Sequence, residues 1–126
     1  MSDEATTAYV EGIKAFGAGK HEEAVEHYDR SLAADPDNTE VLNAKAIALM
    51  NLERFDDAVA TARRASELDP EDAMVHTSLS MIYQRMGMID EAEAEAAQHR
   101  LKSWKQELKQ NPKAPPPDDS GFNVIQ

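Results

Sequence analysis

The chain repeats itself every 34 residues, and this period constrains its fold more than any other feature. When residues 5–38, 39–72 and 73–106 are superposed as sequences, small residues fall into shared columns. One column holds Gly12, Ala46 and Ser80, and another holds Ala24, Ala58 and Ala92. A period of this length is typical of helical hairpins stacked in a row, each too small to bury its apolar face alone. We therefore expect an all-α chain.

Proline and capping residues mark where the helices should begin and end. Pro36 and Pro70 separate successive hairpins, because proline cannot continue the helix that precedes it. Residues 37–39 and 71–72 then offer side-chain oxygens that could cap the next helix. The predicted helices are 4–17, 21–34, 39–51, 55–68, 73–86 and 89–110.

Each 34-residue unit resembles a tetratricopeptide (TPR) repeat. The resemblance is carried by GKHEEAVEHYDRSLAADPDN, LERFDDAVATARRASELDPED and GMIDEAEAEAAQHRLKSW, in register across residues 5–106. It implies three tandem helix-turn-helix hairpins in a short right-handed superhelix. The predicted domain is 1–111, with residues 112–126 as a flexible, proline-rich tail.

The sequence departs from the family pattern at several places. The bulky aromatic residue expected early in each first helix is replaced by Ala8, Leu42 and His76. Glu53 stands at the turn position where the other units have Gly19 and Gly87. A non-glycine residue in a left-handed turn costs on the order of 1 kcal/mol.

The resemblance also implies a binding groove on the concave face, lined by one stripe of the first helix of each hairpin. The helix period supports this choice, since Tyr9, Ile13 and Phe16 step by four and three, as do Asn43, Ile47 and Met50. The alternative is that several of these residues belong to the core, above all Phe16 and Met50 and also Ile13 and Ile47. The predicted groove residues are Thr6, Tyr9, Ile13, Phe16, Glu40, Asn43, Ile47, Met50, Met74, Thr77, Met81 and Gln84.

Chaperone-docking TPR domains clamp a C-terminal carboxylate with lysine, asparagine and arginine side chains. The matching positions here are Tyr9, Ile13, Ala44, Met74 and Ser78. None of these can hold a carboxylate as an ammonium, guanidinium or amide does. The sequence therefore disfavours that ligand.

The charge of the chain limits which classes of partner it can bind. The formal net charge is −11, which disfavours binding to nucleic acid because phosphate backbones repel such a surface. Residues 1–99 hold 8 Lys and Arg against 21 Asp and Glu, whereas residues 100–113 hold 5 Lys and Arg against 1 Glu. Residues 100–113 are either a solvent-exposed helix end, where basic side chains are favoured by the helix dipole, or a segment that pairs head to tail with the acidic part of a neighbouring molecule.

The last predicted helix is unusually long, since Trp104 stands where the other units have proline. Leu101, Trp104 and Leu108 form an apolar stripe that could cap the end of the array or make a dimer contact. A capping-box pattern at residues 103–106 leaves open a break near Ser103. In the tail, the apolar residues Phe122, Val124 and Ile125 could form a docking motif or a frayed end.

No pattern for catalysis or metal binding stands out. The four histidines form no i, i+4 pair or His-Glu-x-x-His arrangement, and no glycine-rich phosphate loop is present. The chain has no cysteine, which excludes disulfides and thiolate metal sites. We expect no enzyme activity, no cofactor and no metal. The acidic start of the chain and the lack of a long apolar run predict a soluble, cytoplasmic protein.

Together these features predict a protein–protein interaction module or adaptor. Its apolar groove, rimmed by acidic residues, should bind a peptide or an amphipathic helix with apolar anchors and some Lys or Arg. The alternative is a self-associating scaffold, in which the tail or the basic last helix docks on a neighbouring copy.

Overall fold

A computed structural model of the chain describes residues 2–117, and these form six α-helices joined by short turns. The predicted all-α fold is confirmed, and every helix boundary lies within one residue of the predicted position. Consecutive helices pair as three hairpins, α1 with α2, α3 with α4 and α5 with α6. The helices are α1 (Asp3–Gly17), α2 (His21–Ala34), α3 (Thr39–Asn51), α4 (Phe55–Leu68), α5 (Ala73–Arg85) and α6 (Ile89–Gln110).

Side-chain caps begin the first helix of every hairpin. Ser2 Oγ accepts a hydrogen bond from the Ala5 amide at 3.1 Å. Asn38 Oδ1 accepts from the Val41 amide at 3.1 Å. Such a cap satisfies one of the amides that the first helical turn leaves unpaired, and it stabilises a helix by about 1 kcal/mol. The caps therefore fix where α1 and α3 start.

The residues in the columns of small residues are buried in the packing between helices. Ala24 and Ala58 are fully buried, and Ala92 is 2% exposed. Gly12 faces the ring of Tyr28, so that a β-carbon placed on Gly12 would lie 2.5 Å from Tyr28 Cε1. The 34-residue period is thus a packing requirement, since larger side chains would separate the paired helices.

A continuous apolar core runs through all three hairpins. Its largest fully buried members are aliphatic and aromatic side chains that face between the helices: Tyr28, Val41, Met50, Val75, Leu79 and Ile82. Apolar burial of this kind is the main favourable term in folding.

The turns inside the three hairpins share a left-handed backbone residue. Gly19 and Gly87 each have a φ of 79°, and Glu53 has a φ of 61°. Glycine adopts this conformation without steric cost, whereas the β-carbon of glutamate approaches the backbone. The prediction that Glu53 occupies a left-handed turn position is confirmed, and the cost of that conformation stays a prediction.

Glu53→Gly is therefore expected to stabilise the protein by about 1 kcal/mol, because it removes the strain at a position with φ of 61°. The measurement is the urea dependence of helical circular dichroism. Gly19→Ala, which introduces a β-carbon at a position with φ of 79°, is the matched control and should destabilise. Equal stability of all three proteins would contradict this explanation of the turns.

The last helix is continuous through Ser103 and ends at Gln110. Leu101, Trp104 and Leu108 are half-buried. The Trp104 indole Nε1 donates a hydrogen bond to the Ala114 carbonyl at 3.1 Å, so the segment after the helix folds back against it. Whether the stripe also makes a dimer contact stays a prediction, and Phe122, Val124 and Ile125 lie outside the described residues. Within residues 2–117, no helix combines the length and the apolar character needed to cross a membrane.

Candidate functional site

The first helices of the three hairpins together line an open depression of about 630 Å³. Its walls come from α1, α3 and α5, and from the residue that precedes α5. The lining residues are Tyr9, Thr39, Glu40, Asn43, Ala44, Ile47, Asp72, Met74, Thr77, Ser78 and Met81. We call this depression the groove.

Most of the groove residues predicted from the sequence meet here. Seven line the groove: Tyr9, Glu40, Asn43, Ile47, Met74, Thr77 and Met81. Four others, Thr6, Ile13, Phe16 and Gln84, lie on α1 and α5 outside it.

The prediction that Met50 lines the groove is wrong, because its side chain is 1% exposed and belongs to the core. Three residues of α-helix turn through about 300°. The step from Ile47 to Met50 therefore moves the side chain about 60° away from the groove and into the interior. Phe16 occupies the same position in the first unit, and it also packs against the core.

The apolar part of the groove is formed by exposed methionines and a half-buried isoleucine. Met74 is 56% exposed and Met81 is 41% exposed. Ile47 contributes to the lining from α3. Methionine side chains are flexible and polarizable, so they adapt to irregular apolar surfaces. A ligand with apolar side chains would cover area that now faces water.

Tyr9 lines the groove from α1, and two neighbouring residues contact its side chain. Its hydroxyl donates a hydrogen bond to Glu40 Oε1 at 3.2 Å. Its ring lies 6.0 Å from the ring of Tyr28, centroid to centroid. Burial, with a smaller contribution from the negative charge of Glu40, raises the pKa of Tyr9 to about 12. The hydroxyl therefore keeps its proton, and its hydrogen bond to Glu40, to a higher pH than an exposed tyrosine would.

The raised pKa of Tyr9 makes the stability of the fold depend on pH in the alkaline range. A tyrosine with a folded pKa of about 12 and an ordinary value of 10.0 binds its proton more tightly when folded. Its contribution is therefore complete below pH 10.0 and is lost as the pH rises toward 12. Tyr9→Phe should weaken the fall in the urea midpoint over this range. An unchanged alkaline profile would show that Tyr9 is not held as described.

The charged groups that line the groove are carboxylates. Glu40 and Asp72 are the charged residues of the lining, which includes no lysine or arginine among the residues that the structure describes. Asn43 also lines it, and its Oδ1 is buried without a hydrogen-bond partner in residues 2–117. This acceptor could pair with a peptide N–H group if the amide rotated toward a ligand.

The five positions that correspond to the chaperone carboxylate clamp are mostly in the groove. Four of them, Tyr9, Ala44, Met74 and Ser78, belong to the lining, and Ile13 does not. The place where a carboxylate would be held is thus built from a phenol, a methyl group, a thioether and a hydroxyl. None of these carries a positive charge.

Four lining residues were not among those predicted for the groove: Thr39, Ala44, Asp72 and Ser78. Asp72 Oδ1 accepts a hydrogen bond from the Met74 amide at 2.9 Å, so it serves as the N-cap of α5. The cap itself is visible in the sequence as an acidic residue before a helical run. Its place at the rim of the groove is not visible there, because it depends on how α3 and α5 pack.

The four histidines lie apart from one another, and each contacts a different neighbour. His21 packs against the ring of Phe16, and His27 contacts Arg30. His76 is hydrogen-bonded to Glu95, and His99 is hydrogen-bonded to the Ala73 carbonyl. In the part of the chain that the structure describes, no three His, Asp or Glu side chains are grouped so that they could hold a metal ion.

Comparison with known sequences identifies the family of this fold. A family model described as Tetratricopeptide repeat matches residues 15–82, just over half of the chain. The Hsp70-Hsp90 organizing protein of Triticum aestivum is 35% identical over 97 residues, which cover 77% of this chain and 16% of that protein. Photosystem I assembly protein Ycf3 of Synechococcus sp. (strain CC9605) is 31% identical over 93 residues, covering 71% of this chain and 54% of the relative. The chain thus spans only part of each relative.

Solved structures share the same architecture. MamA of MSR-1 superposes with a TM-score of 0.74 at 28% identity, covering 82% of this chain and 60% of the MamA chain. The second TPR of Spaghetti (RPAP3), bound to the HSP90 peptide SRMEEVD, superposes with a TM-score of 0.71 at 24% identity, covering 77% of this chain and 90% of that one. The latter likeness shows the fold alone.

Proposed function

Because this chain belongs to the tetratricopeptide repeat family, we propose that it is a protein-interaction module whose groove binds an amphipathic helix or peptide with apolar anchors and basic flanks. Helical-repeat arrays present extended concave surfaces for binding, so protein binding is the general function of this fold. The observation that supports the specific ligand is the pairing of exposed methionines with carboxylates in one groove.

The apolar wall selects for apolar side chains. Met74 and Met81 face the groove from α5, about two turns apart, and Ile47 faces it from α3. An amphipathic helix presents its anchors at i, i+3, i+4 and i+7, a spacing that such a wall can accept. A volume of about 630 Å³ holds a few side chains rather than a whole domain.

The carboxylates select for basic residues beside those anchors. Glu40 and Asp72 line the groove, and the chain as a whole has a net charge of −11. A negative surface raises the association rate of a basic partner and repels an acidic one, most strongly at low salt. A peptide that ends in an acidic run and a free carboxylate fits this groove poorly.

Fluorescence anisotropy with three labelled peptides tests the proposal. The first is an amphipathic helix of about 16 residues with leucine anchors and lysine flanks, the second has glutamate in place of each lysine, and the third is SRMEEVD. The lysine peptide should bind at least about tenfold more tightly than either acidic peptide at low salt. Equal or tighter binding of SRMEEVD would overturn the proposal.

Tyr9→Ala and Ile47→Ala should each weaken binding of the lysine peptide by about 1–2 kcal/mol, because each removes an anchor contact. Ile89→Ala is the matched control, since Ile89 is 56% exposed on α6 and does not line the groove. Isothermal titration calorimetry gives the affinities. If the control and the groove variants lost the same affinity, the ligand would bind elsewhere.

A further inference from the structure

The methionines carry all of the sulfur in this chain, which has six methionines and no cysteine. A peroxide that reacts with sulfur therefore meets no thiol here that would consume it first. Methionine is oxidised to its sulfoxide where the oxidant can reach the thioether sulfur. The exposure of each methionine thus decides which part of the molecule is oxidised.

The structure divides the methionines by their exposure. Met74 is 56% exposed, Met81 is 41% exposed and Met88 is 37% exposed. In contrast, Met50 is 1% exposed, and Met86 is half-buried and packs against the core. Close packing in a protein interior leaves few voids that admit even a water molecule. A peroxide in the surrounding water therefore reaches the three exposed methionines and is excluded from Met50.

Among the methionines of residues 2–117, the two most exposed are the two that line the groove. Met74 and Met81 are seven residues apart on α5, so they share one face of that helix and lie about 10 Å apart along it. Ala44 and Ile47 line the same depression from α3. Oxidation of the two methionines would therefore change one apolar wall at two places.

We propose that Met74 and Met81 are a modification site, at which oxidation by a hydroperoxide switches off ligand binding in the groove. This inference rests on the proposed function, because the binding that is lost is that of the amphipathic peptide. In the reaction the thioether sulfur attacks one oxygen of the peroxide, and an S–O bond forms as the O–O bond breaks. The sulfur is oxidised by two electrons. Hydrogen peroxide is reduced to water, which keeps the second oxygen and both hydrogens.

The sulfoxide opposes binding because it places a polar oxygen in an apolar wall. In the unoccupied groove this oxygen is hydrated by the surrounding water. An apolar anchor that covers it removes the water without supplying a donor, which is unfavourable. The basic residues of the ligand do not replace that water, since in the proposed complex they pair with Glu40 and Asp72. Oxidised chain should therefore bind the peptide at least about tenfold more weakly.

The change is reversible and does not require unfolding. Two reductases, one for each sulfoxide epimer, convert methionine sulfoxide back to methionine. The core is preserved because Met50, its fully buried methionine, is not reached. The oxidised chain should therefore keep its helices while it loses its ligand.

Mass mapping of the full chain after brief treatment with hydrogen peroxide tests where the oxygen is added. Trypsin cleaves after lysine and arginine, so it releases Met50 in fragment 46–54, Met74 and Met81 in fragment 65–85, and Met86 and Met88 in fragment 86–100. Fragment 65–85 should gain two oxygen atoms while fragment 46–54 stays unmodified. Equal oxidation of these two fragments would overturn the proposal.

Fluorescence anisotropy with the lysine-flanked peptide, made without methionine, tests the effect on binding once the peroxide has been removed. The double variant Met74→Leu with Met81→Leu keeps the wall apolar at similar volume and has no sulfur there to oxidise. It should bind equally well before and after treatment. Met88→Leu is the matched control, since Met88 is exposed outside the groove, and this variant should lose binding as the natural chain does. Treatment of the oxidised natural chain with both reductases should restore binding.

The outcomes separate this inference from the proposed function. If the untreated chain did not bind the peptide, both would be overturned. If the untreated and the oxidised chain bound it equally well, this inference alone would fail. It would also fail if Met88→Leu protected binding and the double variant did not. A loss of helical circular dichroism on oxidation would contradict it too, because binding would then be lost through unfolding.

Discussion

Leu79→Ala is expected to lower the free energy of unfolding by about 3 kcal/mol, because it truncates a large, fully buried side chain. Leu79 is fully buried in α5, within the core that joins the second and third hairpins. Its removal costs the transfer free energy of the lost methyl and methylene groups, and a cavity remains because the helices around it relax only in part. Since each repeat depends on its neighbours, the whole array should unfold more easily.

Urea unfolding followed by circular dichroism measures this change. Met81→Ala is the matched control, because Met81 lies further along the same helix and is 41% exposed. Its truncation should cost less than about 1 kcal/mol. Equal losses for the two variants would mean that the core does not lie where the structure places it.

Gly12→Ala is expected to destabilise the protein by about 2 kcal/mol, because overpacking against Tyr28 outweighs the better helix propensity of alanine. Alanine in place of glycine normally gains up to about 1 kcal/mol in a helix. At Gly12, however, the added β-carbon would lie 2.5 Å from Cε1 and 2.6 Å from Cδ1 of Tyr28. The Tyr28 ring is 2% exposed and cannot move aside freely. The cost of the clash, about 3 kcal/mol, exceeds the helix gain.

Gly17→Ala provides the control for backbone entropy. Gly17 is also in α1, but nothing lies within 4 Å of an added β-carbon, so this change should stabilise by about 0.5–1 kcal/mol. Tyr28→Leu provides the control for the clash. The double variant Gly12→Ala with Tyr28→Leu should lose at least about 1 kcal/mol less than the sum of its parts. Strict additivity in urea unfolding would contradict the contact.

Most of the helical framework could be predicted from the sequence because its determinants are local. Proline, glycine and capping residues act on their immediate neighbours, and the 34-residue period repeats the same packing requirement. Gly12 and Ala24 are visible in the sequence as small residues. That Gly12 faces an aromatic ring is visible only once α1 and α2 are paired.

The groove could be predicted in part. The helix period selects one face of α3 and α5, and Ile47 and Met81 line the same depression as Tyr9, whereas Thr6, Ile13 and Phe16 of α1 do not line it. It fails at Met50, where a step of three residues turns the side chain into the core. The helix period also does not predict that Asp72 lines the groove, because the position of Asp72 there depends on how one hairpin stacks on the next.

Methyl NMR of a sample labelled at the methionine methyl carbons tests the groove proposal most directly, because the methionines lie in different parts of the molecule. Met74 and Met81 line the groove, Met50 is buried in the core, and Met88 precedes α6 outside the groove. On titration with the lysine-flanked peptide, the signals of Met74 and Met81 should shift and that of Met88 should not. A shift confined to Met88, or no shift at peptide concentrations that saturate binding, would contradict the proposed function.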